Sequence, residues 1–179
     1  MSNVISVFGS SAPQPGSADY EAAHTIGRLL AQAGLVVATG GYYGTMEAVS
    51  KGAAEAGGHV IGVTCDQIER FRPLAPNQYV VEEIRYPTLQ ERVQHLVREN
   101  EGMITLPGGI GTLSELALAW SLLQVGEIPK RPFVALGPLW QQTLHTFFSP
   151  DYIRPQDMAM LFQADTPEIA VAYIVAQCK

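Results

Sequence analysis

Two glycine-rich segments contain the residue types in this sequence that most clearly suggest chemistry. One runs Thr39-Gly40-Gly41-Tyr42-Tyr43-Gly44-Thr45, and the other runs Pro107-Gly108-Gly109-Ile110-Gly111-Thr112. A backbone without Cβ atoms lets several N–H groups approach one ligand oxygen, and the threonine hydroxyls could add further donors. Each segment leads into helical periodicity, and a helix N-terminus attracts anions. The pair of loops therefore predicts a phosphate site, although either loop alone could be an ordinary tight turn.

The residues predicted to contact the phosphate come from these two loops and from a third turn near residue 9. They are Gly9, Ser10, Gly40, Gly41, Gly44, Thr45, Gly108, Gly109, Gly111 and Thr112. Neither loop has a common nucleotide signature, because no lysine follows Gly44 or Gly111 as the P-loop requires, and the GxGxxG pattern with its later acidic residue is not matched. ATP hydrolysis and NAD chemistry are therefore disfavoured.

The elements that must position these loops alternate between short apolar strands and helices. Strands are predicted at 4–8, 35–38, 60–63, 79–83, 103–106 and 133–136, and helices at 19–33, 45–56, 89–100, 112–124, 139–148 and from 166 onward. Repeated βα units predict a Rossmann-like α/β sandwich of three layers with a mostly parallel sheet, as one domain over residues 1–179. Ligands of such sheets bind at the carboxyl ends of the strands, so Gly9, Gly40 and Gly108 should share one edge. Residues 64–78 are predicted to form a loop.

Composition narrows the class of partner. The net charge is −6 and 47% of the 179 residues are apolar, so a packed globule is expected and polymeric nucleic acid is not. No apolar run approaches the roughly 18 residues that span a bilayer, and no signal stretch opens the chain, so a cytoplasmic protein without membrane attachment is expected. The two cysteines and four histidines lack metal-ligand spacing, and neither a metal nor a cofactor is predicted.

The stretch Pro107–Glu115, of the form Pro-Gly-Gly-x-Gly-Thr-x-x-Glu, resembles the signature of the LOG family when it is taken with Arg92 upstream. These proteins are often mislabelled lysine decarboxylases. The resemblance extends from the opening strand to about residue 140. It implies a homodimeric Rossmann-like protein that binds AMP-like nucleotides and cleaves nucleoside 5'-monophosphates to free base and ribose 5-phosphate. It also implies that Arg92 and Glu115 are the catalytic pair.

Some positions depart from the family pattern. Val93 stands where a lysine normally follows the arginine, and Thr39 and Glu47 replace glycines of the first loop. This form resembles a separate bacterial branch, whose substrate the resemblance does not specify. Loss of the lysine favours an alternative function, a non-catalytic protein that carries or senses a nucleotide or a phosphorylated cofactor such as molybdopterin. Glu47 could either favour its helix start or meet a ribose hydroxyl.

The proposed catalytic residues also have structural alternatives. Thr112 and Glu115 have the spacing of a capping box, in which both side chains would bond backbone N–H groups at the start of a helix. In the catalytic alternative, a carboxylate beside C1' stabilises the positive charge that develops on the ribose and orients or activates water. Arg92 could be a solvated helix residue paired with Glu91 or Glu99, or a phosphate anchor that steadies Glu115.

A decarboxylase that uses pyridoxal phosphate is not expected. Such an enzyme needs a lysine for the Schiff base, and no lysine lies in a candidate loop. The lysines are Lys51, Lys130 and Lys179.

Overall fold

A seven-stranded parallel sheet forms the centre of the protein, in a computed structural model that describes residues 3–178. The strands are β1 (Val4–Phe8), β2 (Val36–Thr39), β3 (Val60–Cys65), β4 (Glu82–Tyr86), β5 (Gly102–Thr105), β6 (Phe133–Leu136) and β7 (Phe162–Ala164). Their order across the sheet is β4-β3-β2-β1-β5-β6-β7, and each neighbouring pair is parallel. The predicted Rossmann-like α/β fold is confirmed.

Helices cover both faces of the sheet. They are α1 (Ala18–Gln32), α2 (Thr45–Glu55), α3 (Asp66–Phe71), α4 (Leu89–Arg98), α5 (Ile110–Val125), α6 (Pro138–Phe147), α7 (Pro155–Met158) and α8 (Pro167–Gln177). Side chains alternate across each strand, so Ile5 and Val7 pack with α1, α2 and α8, whereas Phe8 packs with α4, α5 and α6. Over residues 3–178, no helix combines the length and the apolar character needed to cross a membrane.

The order of strands places a crevice beside β1. Strands β2, β3 and β4 extend to one side of β1, and the chain then crosses back to form β5 on its other side. Such a reversal leaves a gap at the carboxyl edge where open α/β sheets bind ligands. Gly9, Gly40 and Gly108 follow β1, β2 and β5, so the prediction that they share this edge is confirmed.

The predicted elements differ from the structure in several short segments. The predicted loop at 64–78 is wrong, because β3 continues to Cys65 and α3 follows it at once. The strand predicted at 79–83 is β4, which lies three residues later. Neither α7 nor β7 was predicted. Helix α3 buries none of its residues and β4 is a mostly exposed edge strand, so neither has the apolar periodicity that identifies an element from sequence.

Candidate functional site

A cleft of about 450 Å³ lies at the carboxyl edge of the sheet, where β2, β1 and β5 end. Most of the residues predicted for the site line it: Gly9, Ser10, Gly40, Arg92, Gly109, Gly111, Thr112 and Glu115. Its charged side chains are Arg72, Arg92 and Glu115, so its positive charges outnumber its negative one. Among residues 3–178, no three His, Cys, Asp or Glu side chains come together as a metal ion would need. The lining suits an anionic organic ligand.

The other residues predicted to contact the ligand do not line the cleft, and instead they set the conformation of its loops. They are Gly41, Gly44, Thr45 and Gly108. Gly41 and Gly44 have φ angles of +79° and +67°, which favour glycine. Thr45 is buried, and its hydroxyl donates to the Ser10 carbonyl at 3.0 Å, so it is not turned toward a ligand. Gly108 lies so close to Thr112 that a Cβ on Gly108 would overlap the threonine side chain.

Arg92 is held in one orientation at the floor of the cleft. It lies in α4 and is only 5% exposed, and its Nε donates to the carbonyl of Val63 at 2.7 Å. Its Nη2 presses against Gly40, where a Cβ would overlap it, and its guanidinium carbon lies 5.8 Å from the centre of the Tyr42 ring. These contacts leave little rotamer freedom, so the remaining N–H groups are already positioned for an acceptor in the cleft.

Glu115 is the partner of Arg92. One carboxylate oxygen, Oε1, lies 3.6 Å from Arg92 Nη1, which is an ion-pair distance but longer than a hydrogen bond. Burial raises the pKa of Glu115 to about 7, although the charge of Arg92 lowers it in part. A carboxyl group with such a pKa can exchange a proton near neutral pH.

The structural alternatives for these two residues are wrong. Helix α5 begins at Ile110 with Gly109 as its N-cap, so Glu115 lies in the second turn and is not part of a capping box. The capping box in this region joins Thr88 and Glu91 at the start of α4, where the same spacing occurs. With Glu91 used there, Arg92 pairs with Glu115 rather than with a neighbour in its own helix.

The N-terminus of α5 is open to the cleft. It has no side-chain cap and no acidic residue in its first turn. Cβ atoms on Gly109 or Gly111 would meet nothing within 4 Å, and Gly109 has a negative φ of −93°, so neither protein packing nor the Gly109 backbone angle calls for a glycine there. The room that these glycines leave faces the first N–H groups of the helix, which lack intrahelical acceptors. A phosphate would fit this position.

One wall of the cleft is formed by residues that the sequence does not predict for the site. Its apolar lining is Tyr42, Met46, Ile68, Phe71 and Leu74. Tyr42 is buried, and its hydroxyl donates to the Cys65 carbonyl and accepts from the Cys65 N–H. The others include residues of α3 and of the segment just after it, for which the sequence carries no periodic signal.

None of the three positions that depart from the family pattern lines the cleft. Thr39 is buried, and its hydroxyl accepts from the Gly41 N–H at 3.0 Å. Val93, on α4, packs against the core cluster to which α4 and α5 contribute, so the position of the usual lysine is a packing position in this chain. Glu47 is half-buried in the first turn of α2 and does not line the cleft. Its charge acts on Tyr20, whose pKa is raised by burial and then by Glu47. Contact between Glu47 and a ribose in this cleft is therefore not supported.

A family model described as "Possible lysine decarboxylase" matches residues 46–174, which is most of the chain. The chain belongs to the LOG, or lysine decarboxylase-like, family. The resemblance predicted from the glycine signature is thus confirmed.

Two LOG-family relatives show the extent of the likeness. The cytokinin riboside 5'-monophosphate phosphoribohydrolase of Mycobacterium tuberculosis is 32% identical over 158 residues, which cover 84% of this chain and 82% of that protein. A probable cytokinin riboside 5'-monophosphate phosphoribohydrolase of Oryza sativa subsp. japonica is 32% identical over 132 residues, or 70% of this chain. The match spans about half, 51%, of the rice protein.

A solved structure is also similar to this chain in fold. The molybdenum cofactor binding protein from the phototrophic bacterium Rippkaea orientalis superposes with a TM-score of 0.77 at 26% identity. The alignment covers 98% of this chain and 97% of that one. This LOG-family fold is therefore shared by proteins named for hydrolysis and by a protein named for cofactor binding.

Proposed function

We propose that this protein is a phosphoribohydrolase that cleaves the N-glycosidic bond of a nucleoside 5'-monophosphate, releasing the free base and ribose 5-phosphate. The observation that carries this proposal is the buried pair of Arg92 and Glu115 on a cleft at the ligand-binding edge of the sheet. A raised carboxyl pKa beside a fixed guanidinium is an arrangement that enzymes use for catalysis. Relatives named for this reaction support the choice of substrate class.

The phosphate of the substrate is assigned to the open start of α5. The backbone N–H groups around Gly109, Gly111 and Thr112 would supply donors, and Arg92 would supply a positive charge. The Ser10 side chain lines the same cleft and could add a hydroxyl. The base of an AMP-like ligand would then lie toward the apolar wall formed by Tyr42 and α3.

Glu115 would act on the ribose. Breaking the bond between C1' and the base leaves positive charge on the sugar ring, and a carboxylate near C1' stabilises that charge. As water adds to C1', one of its protons passes to the carboxylate. The electron pair of the broken bond leaves with the base, which takes up a proton from solvent. A pKa of about 7 lets Glu115 accept the proton and release it again at neutral pH.

We propose further that the active form is a homodimer. Helix α5 carries exposed apolar side chains, since Ile110, Leu113 and Val125 are 87%, 45% and 70% exposed in the single chain. Exposed apolar residues on one helix favour burial against a partner. Light scattering after size exclusion should give about twice the 19.4 kDa mass of the chain, and a monomer at micromolar concentration would contradict this.

The second candidate is a carrier for a nucleotide or a molybdopterin-like phosphorylated cofactor. Two observations favour it: Val93 replaces the usual lysine and packs in the core, and the Rippkaea orientalis neighbour is named as a molybdenum cofactor binding protein. The carrier would use the same phosphate position without the step at C1'.

Incubation with a panel of nucleoside 5'-monophosphates, followed by chromatography of bases and a ribose 5-phosphate assay, separates the two candidates. A hydrolase releases base and ribose 5-phosphate in equal amounts, and Arg92→Met abolishes this release. Tight binding of a nucleotide with no release from any member of the panel would refute the hydrolase and leave the carrier.

A further inference from the structure

A second cavity, of about 640 Å³, lies at the amino edge of the sheet, opposite the cleft. It is bordered by Arg131 and Pro132, which immediately precede β6, and by Gln177, which ends α8. Because the sheet is parallel, the start of β6 is at the edge away from the cleft. The two cavities lie at opposite edges of the sheet and share no lining residue.

Each polar side chain that lines this cavity can donate a hydrogen bond. Lys130 and Arg131 supply two positive charges, and Gln156, Gln177 and Tyr173 supply amide and hydroxyl groups. No carboxylate is found in the lining as described for residues 3–178, although the whole chain has a net charge of −6. A concave site with this set of groups would hold an anion.

Nearby acidic residues do not cancel the positive charge. Asp157 follows Gln156, but its carboxylate accepts two hydrogen bonds from Arg154, at 2.8 and 3.0 Å, and one from Gln124 at 3.0 Å. Glu99 and Glu101 interact electrostatically with Arg131, but neither lines the cavity. Within the described lining, the charges that a ligand would meet directly are therefore those of Lys130 and Arg131.

Arg131 is positioned in advance. Its Nη1 donates to the carbonyls that end α4, those of Val97 and Arg98 at 3.4 and 3.1 Å, and to that of Asn100, while its Nε donates to Pro129 at 3.3 Å. Within the described part of the chain, Nη2 has no acceptor. A guanidinium held this way loses little conformational entropy when it binds an anion.

The remaining lining is apolar and rigid. Leu123 of α5 and Met160 contribute aliphatic surface, and the Tyr173 ring stacks on Phe162 with ring centres 4.0 Å apart and planes 2° apart. We propose that this cavity binds a small organic phosphate, a phosphate monoester whose dianion meets Lys130 and Arg131 and whose apolar group lies against Tyr173. Two cations match a phosphate dianion better than a single carboxylate.

The test is a titration of the ¹⁵N-labelled protein with phenyl phosphate, followed by amide NMR. Saturable shifts are expected at Lys130, Arg131, Tyr173 and Gln177, and phenol, which lacks the phosphate, should produce none there. Lys130→Gln should weaken the affinity about tenfold through loss of one charged contact. Lys51→Gln is the control, because it removes the same charge on α2, outside the cavity.

Two results would overturn the proposal. Shifts confined to the cleft, at residues 9–11 and 109–112, would mean that the cavity binds no phosphate. Equal affinity of the Lys130→Gln and Lys51→Gln proteins would mean that its charge is not used. Because the readout is assigned by residue and measures no base release, the outcome does not depend on the proposed hydrolase activity.

Discussion

The substitution Glu115→Gln separates catalysis from folding, because it keeps the shape of a buried side chain and removes only its charge. In the folded protein burial raises the pKa of Glu115 to about 7, compared with 4.5 for an ordinary glutamate. Folding therefore favours the protonated form. Glutamine resembles that form, so the variant should match the wild type at acid pH and differ from it where the wild-type residue is ionised.

The size of the difference follows from the two pKa values. A carboxyl group whose folded pKa is raised contributes its stability below the unfolded pKa and loses it as the pH rises through the folded pKa. Each pKa unit corresponds to about 1.4 kcal/mol, so between pH 5 and pH 8 the wild type should lose about 2 to 3 kcal/mol that the variant keeps. The lost attraction to Arg92 is already part of this balance, since Arg92 lowers the same pKa.

Denaturant unfolding of both proteins at pH 5 and pH 8 measures this difference. We expect Glu115→Gln to be more stable than the wild type at pH 8 and similar to it at pH 5. Base release should fall on the order of a hundredfold, while AMP still binds. Glu99→Gln, a change at an exposed glutamate at the end of α4, should alter neither quantity.

Either of two results would contradict these roles of Glu115. If the stability difference between Glu115→Gln and the wild type is the same at both pH values, Glu115 does not titrate with a raised pKa. If turnover stays near the wild-type value, Glu115 is not the group that acts on the ribose, whatever its pKa.

Three further predictions test the ligand site. AMP should raise the Tm and adenosine should not, since the phosphate is proposed to make the main contacts. Equal Tm shifts in a thermal scan would show that the phosphate does not make these contacts. Gly111→Ala should leave the protein as stable as the wild type or up to about 1 kcal/mol more stable, because the new Cβ lies in a helix and meets only open space. The same change should weaken AMP binding measured by calorimetry, and an unchanged affinity would place the phosphate elsewhere. Tyr42→Phe should keep the ring beside Arg92 and lower the free energy of unfolding by about 1 kcal/mol, because the hydrogen bonds to Cys65 are lost. Tyr42→Leu also removes the ring and should reduce turnover as well. Equal turnover in the two variants would show that the ring does not position Arg92.

Much of the fold follows from local features of the sequence. Strands β1 and β6 lie at the predicted residues, and α8 begins at Pro167 after the Thr166 cap, because apolar periodicity, β-rich runs and capping residues are local signals. The position of three glycine turns at one edge follows from βα alternation, since parallel strands must all end on the same side.

The capping box shows the limit of local patterns. Thr88 to Glu91 and Thr112 to Glu115 have the same spacing, yet only the first pair caps a helix. Helix α5 begins two residues before Thr112, at Ile110, which places Thr112 and Glu115 inside the helix. A four-residue pattern cannot distinguish these cases, because the start of a helix also depends on how the preceding loop leaves the sheet.

By itself, the sequence determined the family, the alternation of strands and helices, and the glycine loops, all of which depend on neighbouring residues. Tertiary structure decided the chemistry of the site. It brought Arg92 of α4 to 3.6 Å from Glu115 of α5, turned Thr45 away from the cleft and placed α3 along one wall. It also raised the pKa of Glu115, because desolvation depends on everything packed around a carboxyl group and not on the residues beside it in the chain.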